Sequence, residues 1–145
     1  MNHDHYSDAY ISGILSACKS IALVGASPNE ARPSYGVMRF LLGKGYDVTP
    51  VNPGQAGREI LGRKVAASLA DLPQPADMID IFRASDAIPA LTDEILALLW
   101  RPKAVWMQLA IRDDAAAARL EAAGVRVVMN RCPAIEIARS SGGVH

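Results

Sequence analysis

The sequence has two cysteines in 145 residues, Cys18 and Cys132. So few exclude a disulfide framework and match no zinc spacing, which implies free thiols in a reducing compartment. Net charge is missing as well, since 15 Lys and Arg balance 15 Asp and Glu. A broad nucleic-acid surface is therefore not expected. No apolar run approaches the roughly 18 residues needed to span a bilayer, and the opening Met-Asn-His-Asp-His-Tyr-Ser-Asp has neither the basic nor the apolar region of a signal peptide. A cytoplasmic chain without a nucleic-acid or membrane partner is the expectation. His3 and His5 stand in a terminus expected to fray, without further ligands, so no metal site is expected.

What is present points to a packed α/β protein. Half of the residues are hydrophobic, and a chain of this length buries roughly two-thirds of its unfolded surface as one domain. The stretch Ser20 to Gly36 organises the rest: four apolar residues, Ile21 to Val24, stop at Gly25 as a buried parallel strand does. A rigid polar loop with Pro28 and Pro33 follows. Ser34 is the expected N-cap of a helix carrying Val37, Met38, Leu41 and Leu42, whose unpaired N–H groups would face an anion.

Similar punctuation marks the remaining elements. A leading helix is expected over about 7–19, with Ile11, Ile14, Leu15 and Cys18 on one face. Tyr46 to Val51 reads as the second strand and Met78 to Phe82 as the third, joined by a small turn around Gly62 and a single helical turn from Ser68 to Leu72. Helices are expected from Ser85 or Asp86 to Leu99, from Asp113 to Ala123, and from Pro133. Strands are expected at Ala104 to Met107 and Val125 to Met129, and a loose tail over about 140–145. Strands alternating with helices imply a doubly wound, five-stranded parallel sheet with helices on both faces, for which the order 3-2-1-4-5 is chosen. Ligands of such sheets lie beyond the carboxyl ends of the strands, at the switch point.

The loop after the first strand lacks the glycines of a dinucleotide fingerprint: only Gly25 fits, and the next glycine is Gly36. The second strand ends in Asn52-Pro53 where a nicotinamide site offers an acid to the ribose. A Walker loop is absent too. Arg32, Arg39, Lys44, Arg58, Arg63 and Lys64 outnumber Glu30, Asp47 and Glu59 between Gly25 and Lys64, so a ligand with several phosphates suits that half of the mouth. Each cation is otherwise ordinary solvated surface. Arg32 is set apart by Pro33 and Ser34, which hold it beside the helix start.

Val-Gly-Ala-Ser-Pro, Arg-Pro-Ser-Tyr-Gly-Val-Met, Pro-Val-Asn-Pro-Gly, Ile-Leu-Gly, Val-Trp-Met-Gln-Leu and Val-Met-Asn-Arg-Cys occur in order between about Ile11 and Ile137. Together they resemble the small bacterial coenzyme A-binding proteins. The resemblance implies one Rossmann-like domain over residues 1–145, similar to the nucleotide-binding domain of the succinyl-CoA synthetase α subunit, with coenzyme A or an acyl-CoA as ligand. Carried onto this chain, it implies Gly25, Ala26 and Ser27 approaching phosphate with backbone amides and the Ser27 hydroxyl, and Arg32 with the helix start near Ser34, Tyr35 and Gly36 completing the cradle. It implies Asn52 and Pro53 flanking the adenosine, Phe82 and Arg83 bordering the adenine or the 3′-phosphate, and Gln108 and Leu109 lining the pantetheine path. A core role stands beside this one for Phe82 and Leu109, and a packing role for Tyr35. Cys132 reads either as a small buried hydrophobe or as a thiol near that of the coenzyme.

No Ser/His/Asp, Cys/His or paired-carboxylate set is gathered by the expected loops. The expected function is therefore a non-catalytic carrier, sensor or regulatory module, its protein partner unknown. An NAD(P)-dependent redox enzyme and an interaction module with a vestigial pocket are the alternatives.

Overall fold

A computed structural model describes residues 1–143. Five parallel strands form the central sheet: β1 (Ser20–Val24), β2 (Asp47–Val51), β5 (Met78–Ile81), β6 (Ala104–Met107) and β7 (Arg126–Val128). A two-stranded antiparallel hairpin, β3 (Glu59–Ile60) and β4 (Arg63–Lys64), lies between β2 and β5 and turns at Leu61 and Gly62, as the glycine signal indicated. The helices are α1 (Asp8–Ala17), α2 (Pro33–Gly43), α3 (Ile88–Ala97), α4 (Asp114–Ala122) and α5 (Pro133–Gly143).

The sheet is covered on both faces, which is why its strands carry apolar runs rather than strict alternation. Ile21 and Leu23 point into one layer with Ile11, Ile14 and Leu15 of α1, Met38 and Leu41 of α2, and Ile137 of α5. Ala22 and Val24 point into the other with Ile88 and Ile95 of α3 and Ala116, Ala117 and Leu120 of α4.

The strand order is β2-β1-β5-β6-β7. In sequence order of the five strands this is 2-1-3-4-5, and it corrects the expected 3-2-1-4-5: β5 pairs with β1, Ile21 to Val24 facing Met78 to Ile81, and β2 is an edge. Pro50 is the physical reason. Its carbonyl accepts from Ala66 N at 2.9 Å on the side away from β1, so the N–H that proline lacks would also point there. An interior strand needs that donor, whereas an edge strand does not.

Several details differ from the sequence reading; the helix expected from Ser85 or Asp86 to Leu99, for one, is a 3-10 turn (Ser85–Ala87) followed by α3, which ends at Ala97. The helix after the first loop is capped by Arg32, without a side-chain bond, and not by Ser34; Pro33 occupies the first turn, where its fixed φ favours helix and no N–H is needed. α5 runs to Gly143, past Ser140 where a tail was expected, and residues 144–145 of that tail lie outside the described residues. The terminus is also not frayed at His3, which is 8% exposed and bonded to the Tyr6 hydroxyl and to Glu121. Among the described residues no helix is long and apolar enough to cross a membrane.

Candidate functional site

At the carboxyl ends of β1, β5 and β6 the chain leaves a mouth of about 620 Å³. Gly25, Ala26, Ser27, Arg32, Ser34, Asn52, Phe82, Arg83, Gln108, Leu109 and Cys132, all candidate site residues from sequence, are brought together in its lining. Pro33, Val37, Ala84 and Ile111 line it too and were missed. Their signal was proximity to anticipated residues: Val37 is one helical turn past Pro33, Ala84 follows Arg83, and Ile111 shares the loop of Gln108. Tyr35, Gly36 and Pro53 are not brought to this mouth; Tyr35 instead packs half-buried against the α1/α2/α5 layer.

The loop after β1 is built by hydrogen bonds that also limit what it offers. Gly25 takes φ +87°, and its N–H donates to Val51 O at 3.0 Å; Ala26 N reaches the same oxygen at 3.4 Å. Those two amides are engaged, which corrects the expectation that they face phosphate. Ser27 Oγ accepts from Asn29 N at 3.1 Å, and Asn29 Oδ1 accepts from Ala31 N at 2.9 Å, so Asx- and Ser-type turns shape the loop. What faces the mouth is the start of α2, where the helix dipole is unopposed by any acid in the first turn and no side chain caps it.

Arg32 and Arg83 supply the positive charge, and neither has an ion-pair partner among the described residues. The broader cluster expected from sequence does not assemble at the mouth. Arg63 pairs with Asp47 at 2.7 Å, and Lys44 lies 5.5 Å from the centroid of the Phe40 ring, at the far end of α2. Asn52 is tied into the structure: its Nδ2 donates to Ala26 O and its Oδ1 accepts from Gly54 N, so it offers a ribose fewer free acceptor sites than the carboxylate of a nicotinamide site.

The opposite wall is less polar. Leu109 is 53% exposed, Cys132 is buried, and Gln108 is 6% exposed with an Oε1 that has no partner among the described residues. An acceptor held this way costs free energy until a donor arrives. On the same face of β5 as Phe82, one pleat deeper, lies Asp80, facing Leu23 and Trp106 in register. It is fully buried, neither carboxyl oxygen has a partner among the described residues, and burial pushes the carboxyl well above its usual range. Sequence reasoning passed over Asp80, although a lone acid within Met-Ile-Asp-Ile-Phe was the signal.

A second hollow, about 370 Å³, lies at the other pole of the sheet beside Leu15, Lys19, Lys44 and Tyr46. It is smaller, and it meets the carboxyl ends of α1 and α2, where the helix dipoles oppose an anion.

The family model described as a CoA binding domain matches residues 19–138. "Uncharacterized protein YneT" of Bacillus subtilis is 33% identical over 126 residues, covering 87% of this chain and 90% of its own. A solved Thermus thermophilus protein, cell-free ID.343, superposes with a TM-score of 0.86 at 40% identity, covering 92% of this chain and 98% of its own. The α subunit of the ADP-forming acetate–CoA ligase I of Pyrococcus furiosus is 34% identical over 80 residues, 52% of this chain but only 17% of that subunit.

Proposed function

This chain belongs to the CoA binding domain family, and from that premise we propose that it binds coenzyme A or a short acyl derivative through the mouth beyond β1. It does so as one non-catalytic domain that carries, senses or regulates. The observation that carries the reading is the polarity of the mouth. Arg32, Arg83 and the uncapped start of α2 stand at one end, Gln108, Leu109 and Cys132 at the other. Phosphates suit the first set through charge-assisted hydrogen bonds. An extended arm of amides ending in a thiol suits the second, where the unpartnered Gln108 Oε1 accepts from an amide N–H.

In this reading the Cys132 thiolate attacks one sulfur of coenzyme A disulfide. A mixed disulfide forms, and one coenzyme A thiolate leaves and takes up a proton. A nicotinamide dinucleotide suits the mouth less well, because the Asn52 side chain is already bonded to Ala26 and Gly54.

The test is direct. Denaturing the purified protein and weighing what it releases identifies any bound nucleotide. Calorimetric titration with coenzyme A, dephospho-coenzyme A and NAD then ranks them. Coenzyme A is expected to bind most tightly, and no binding at about millimolar concentration, where the free energy is near 4 kcal/mol, rejects the proposal.

A further inference from the structure

We propose that Tyr6 is a positioning residue for the thiol end of the mouth: the N-terminal strap, residues 3 to 6, fixes where Cys132 stands. The ligand arm of its test rests on the coenzyme A reading; the geometry does not.

β7 is an edge strand, and an edge leaves backbone groups open. Two tyrosines close this one. The Tyr10 hydroxyl donates to Val127 O at 2.9 Å and accepts from Val127 N at 3.2 Å, and the Tyr6 hydroxyl accepts from Met129 N at 2.9 Å. Their rings stack with centroids 5.7 Å apart. His3 locks Tyr6 from outside, with Nδ1 2.7 Å from the hydroxyl and Nε2 3.0 Å from Glu121 Oε1. Glu121 Oε1 can only accept, so Nε2 donates to it, and Nδ1 shares the remaining bond with the Tyr6 hydroxyl.

Tyr6 also holds Arg131, whose guanidinium carbon lies 5.4 Å from the ring centroid. It therefore grips both Met129 and Arg131, at the base of the loop that presents Cys132. On the inner side the Arg131 carbonyl accepts from Trp106 Nε1 at 2.8 Å. Between them Asn130 takes φ +56°, its Oδ1 accepting from Ala110 N at 2.7 Å and its N–H donating to Ile111 O at 3.0 Å. The loops carrying Leu109, Ile111 and Cys132 are thus one clamped wall, and a second tie reaches it from the strap, Arg112 donating to Asp4 at 2.8 Å. The hydrogen-bond and ring partners of Tyr6 are His3, Tyr10, Met129 and Arg131, none of which lines the mouth; its tie to Cys132 runs through the neighbouring Arg131.

The experiment compares the two thiols of the unliganded protein. Iodoacetamide labelling, located by peptide mass, is followed in wild type, Tyr6→Ala, Tyr6→Phe and Tyr10→Phe. Cys132 is expected to label about tenfold faster in Tyr6→Ala, the scale of one cation–π contact and one hydrogen bond lost together. Cys18, buried at the other end of the sheet, is expected to keep its rate. Tyr6→Phe, which keeps the ring under Arg131, accelerates Cys132 by less, and carries the same test if Tyr6→Ala does not fold. Tyr10→Phe loses edge bonds but no loop contact, and leaves the ratio unchanged.

Equal acceleration of both cysteines means that Tyr6 only stabilises the fold and overturns the proposal; an unchanged Cys132 rate overturns it as well. In parallel, the affinity of Tyr6→Ala for coenzyme A is expected to fall while that for adenosine 3′,5′-bisphosphate, which lacks the thiol arm, is unchanged. If wild type binds neither compound, the coenzyme A reading fails, and the labelling ratio still decides the role of Tyr6.

Discussion

Asn52 donates through Nδ2 to the carbonyl of Ala26 at 2.8 Å, tying the end of β2 to the loop after β1. Ala26 is buried, so Asn52→Ala leaves its carbonyl without that donor, and also removes the acceptor of Gly54 N. The expected loss is about 1–3 kcal/mol in urea unfolding. Asn52→Asp sets a carboxylate against that carbonyl, so it is expected to lose stability without acquiring NAD binding. Calorimetry showing NAD bound by the Asp variant would contradict this account of the position.

Gly25 packs against the strand that follows it in space. A Cβ there would stand 2.5 Å from Phe82 O and 3.3 Å from Arg83 Cδ, at a φ of +87°. Backbone cannot yield cheaply at that point, because Phe82 N is bonded to Val24 O at 2.8 Å. Gly25→Ala is expected to destabilise by about 3 kcal/mol through left-handed strain and overpacking. A melting temperature equal to wild type would refute the close approach.

Arg32 is exposed and has no acidic partner among the described residues, so its removal costs the fold little. Arg32→Ala is expected to weaken coenzyme A by about tenfold or more, the scale of a charge-assisted hydrogen bond, with unchanged unfolding. The defect should shrink at high salt, since an exposed guanidinium is screened. Equal affinities in low salt would remove Arg32 from the site.

Those three positions stood out because their residue types are locally conspicuous, although Asn52 was expected against adenosine and the Gly25 amide against phosphate, and both bond within the chain. A glycine ending an apolar run, an arginine before Pro-Ser and an asparagine before proline each announce a turn or an anion site by residue type. The edge position of β2 is written in Pro50, since a proline lacks the N–H that an interior strand needs. Tyr6, Tyr10 and His3 were not readable: each acts on β7 or α4, more than a hundred residues away in the chain, and no local pattern encodes such a contact. Tyr35, Gly36 and Pro53 entered through the family resemblance, as members of Arg-Pro-Ser-Tyr-Gly and Pro-Val-Asn-Pro-Gly. Along α2 one step turns a side chain by roughly 100°, enough to carry Tyr35 off the mouth that Ser34 lines.

The two thiols are expected to differ in reactivity. Burial pushes Cys18 up to about 11, with Asp77 adding to the effect. At pH 8 about one Cys18 in a thousand is then thiolate, which makes it a poor nucleophile. Ellman's reagent at pH 8 should therefore titrate Cys132 first in the native protein and Cys18 only on denaturation. Prompt release of two equivalents from native protein would show that Cys18 is not held this way.

Asp80 provides a pH test of the core. Its folded carboxyl keeps its proton to a higher pH than the unfolded one, which releases it near pH 4. Above that pH the folded state therefore binds more protons than the unfolded state. Stability contributed by the neutral group is full below about pH 4 and falls as pH rises towards the folded value. Asp80→Asn cannot ionise, so its unfolding free energy lacks this slope. From pH 4 upward the difference between the variant and wild type should move in favour of Asn by up to about 1.4 kcal/mol per pH unit, levelling once Asp80 ionises in the folded protein. Urea unfolding of both proteins across pH 4 to about 8 measures it directly. Parallel curves would mean that Asp80 ionises in the folded chain as readily as in the unfolded one, contrary to its complete burial between Leu23 and Trp106.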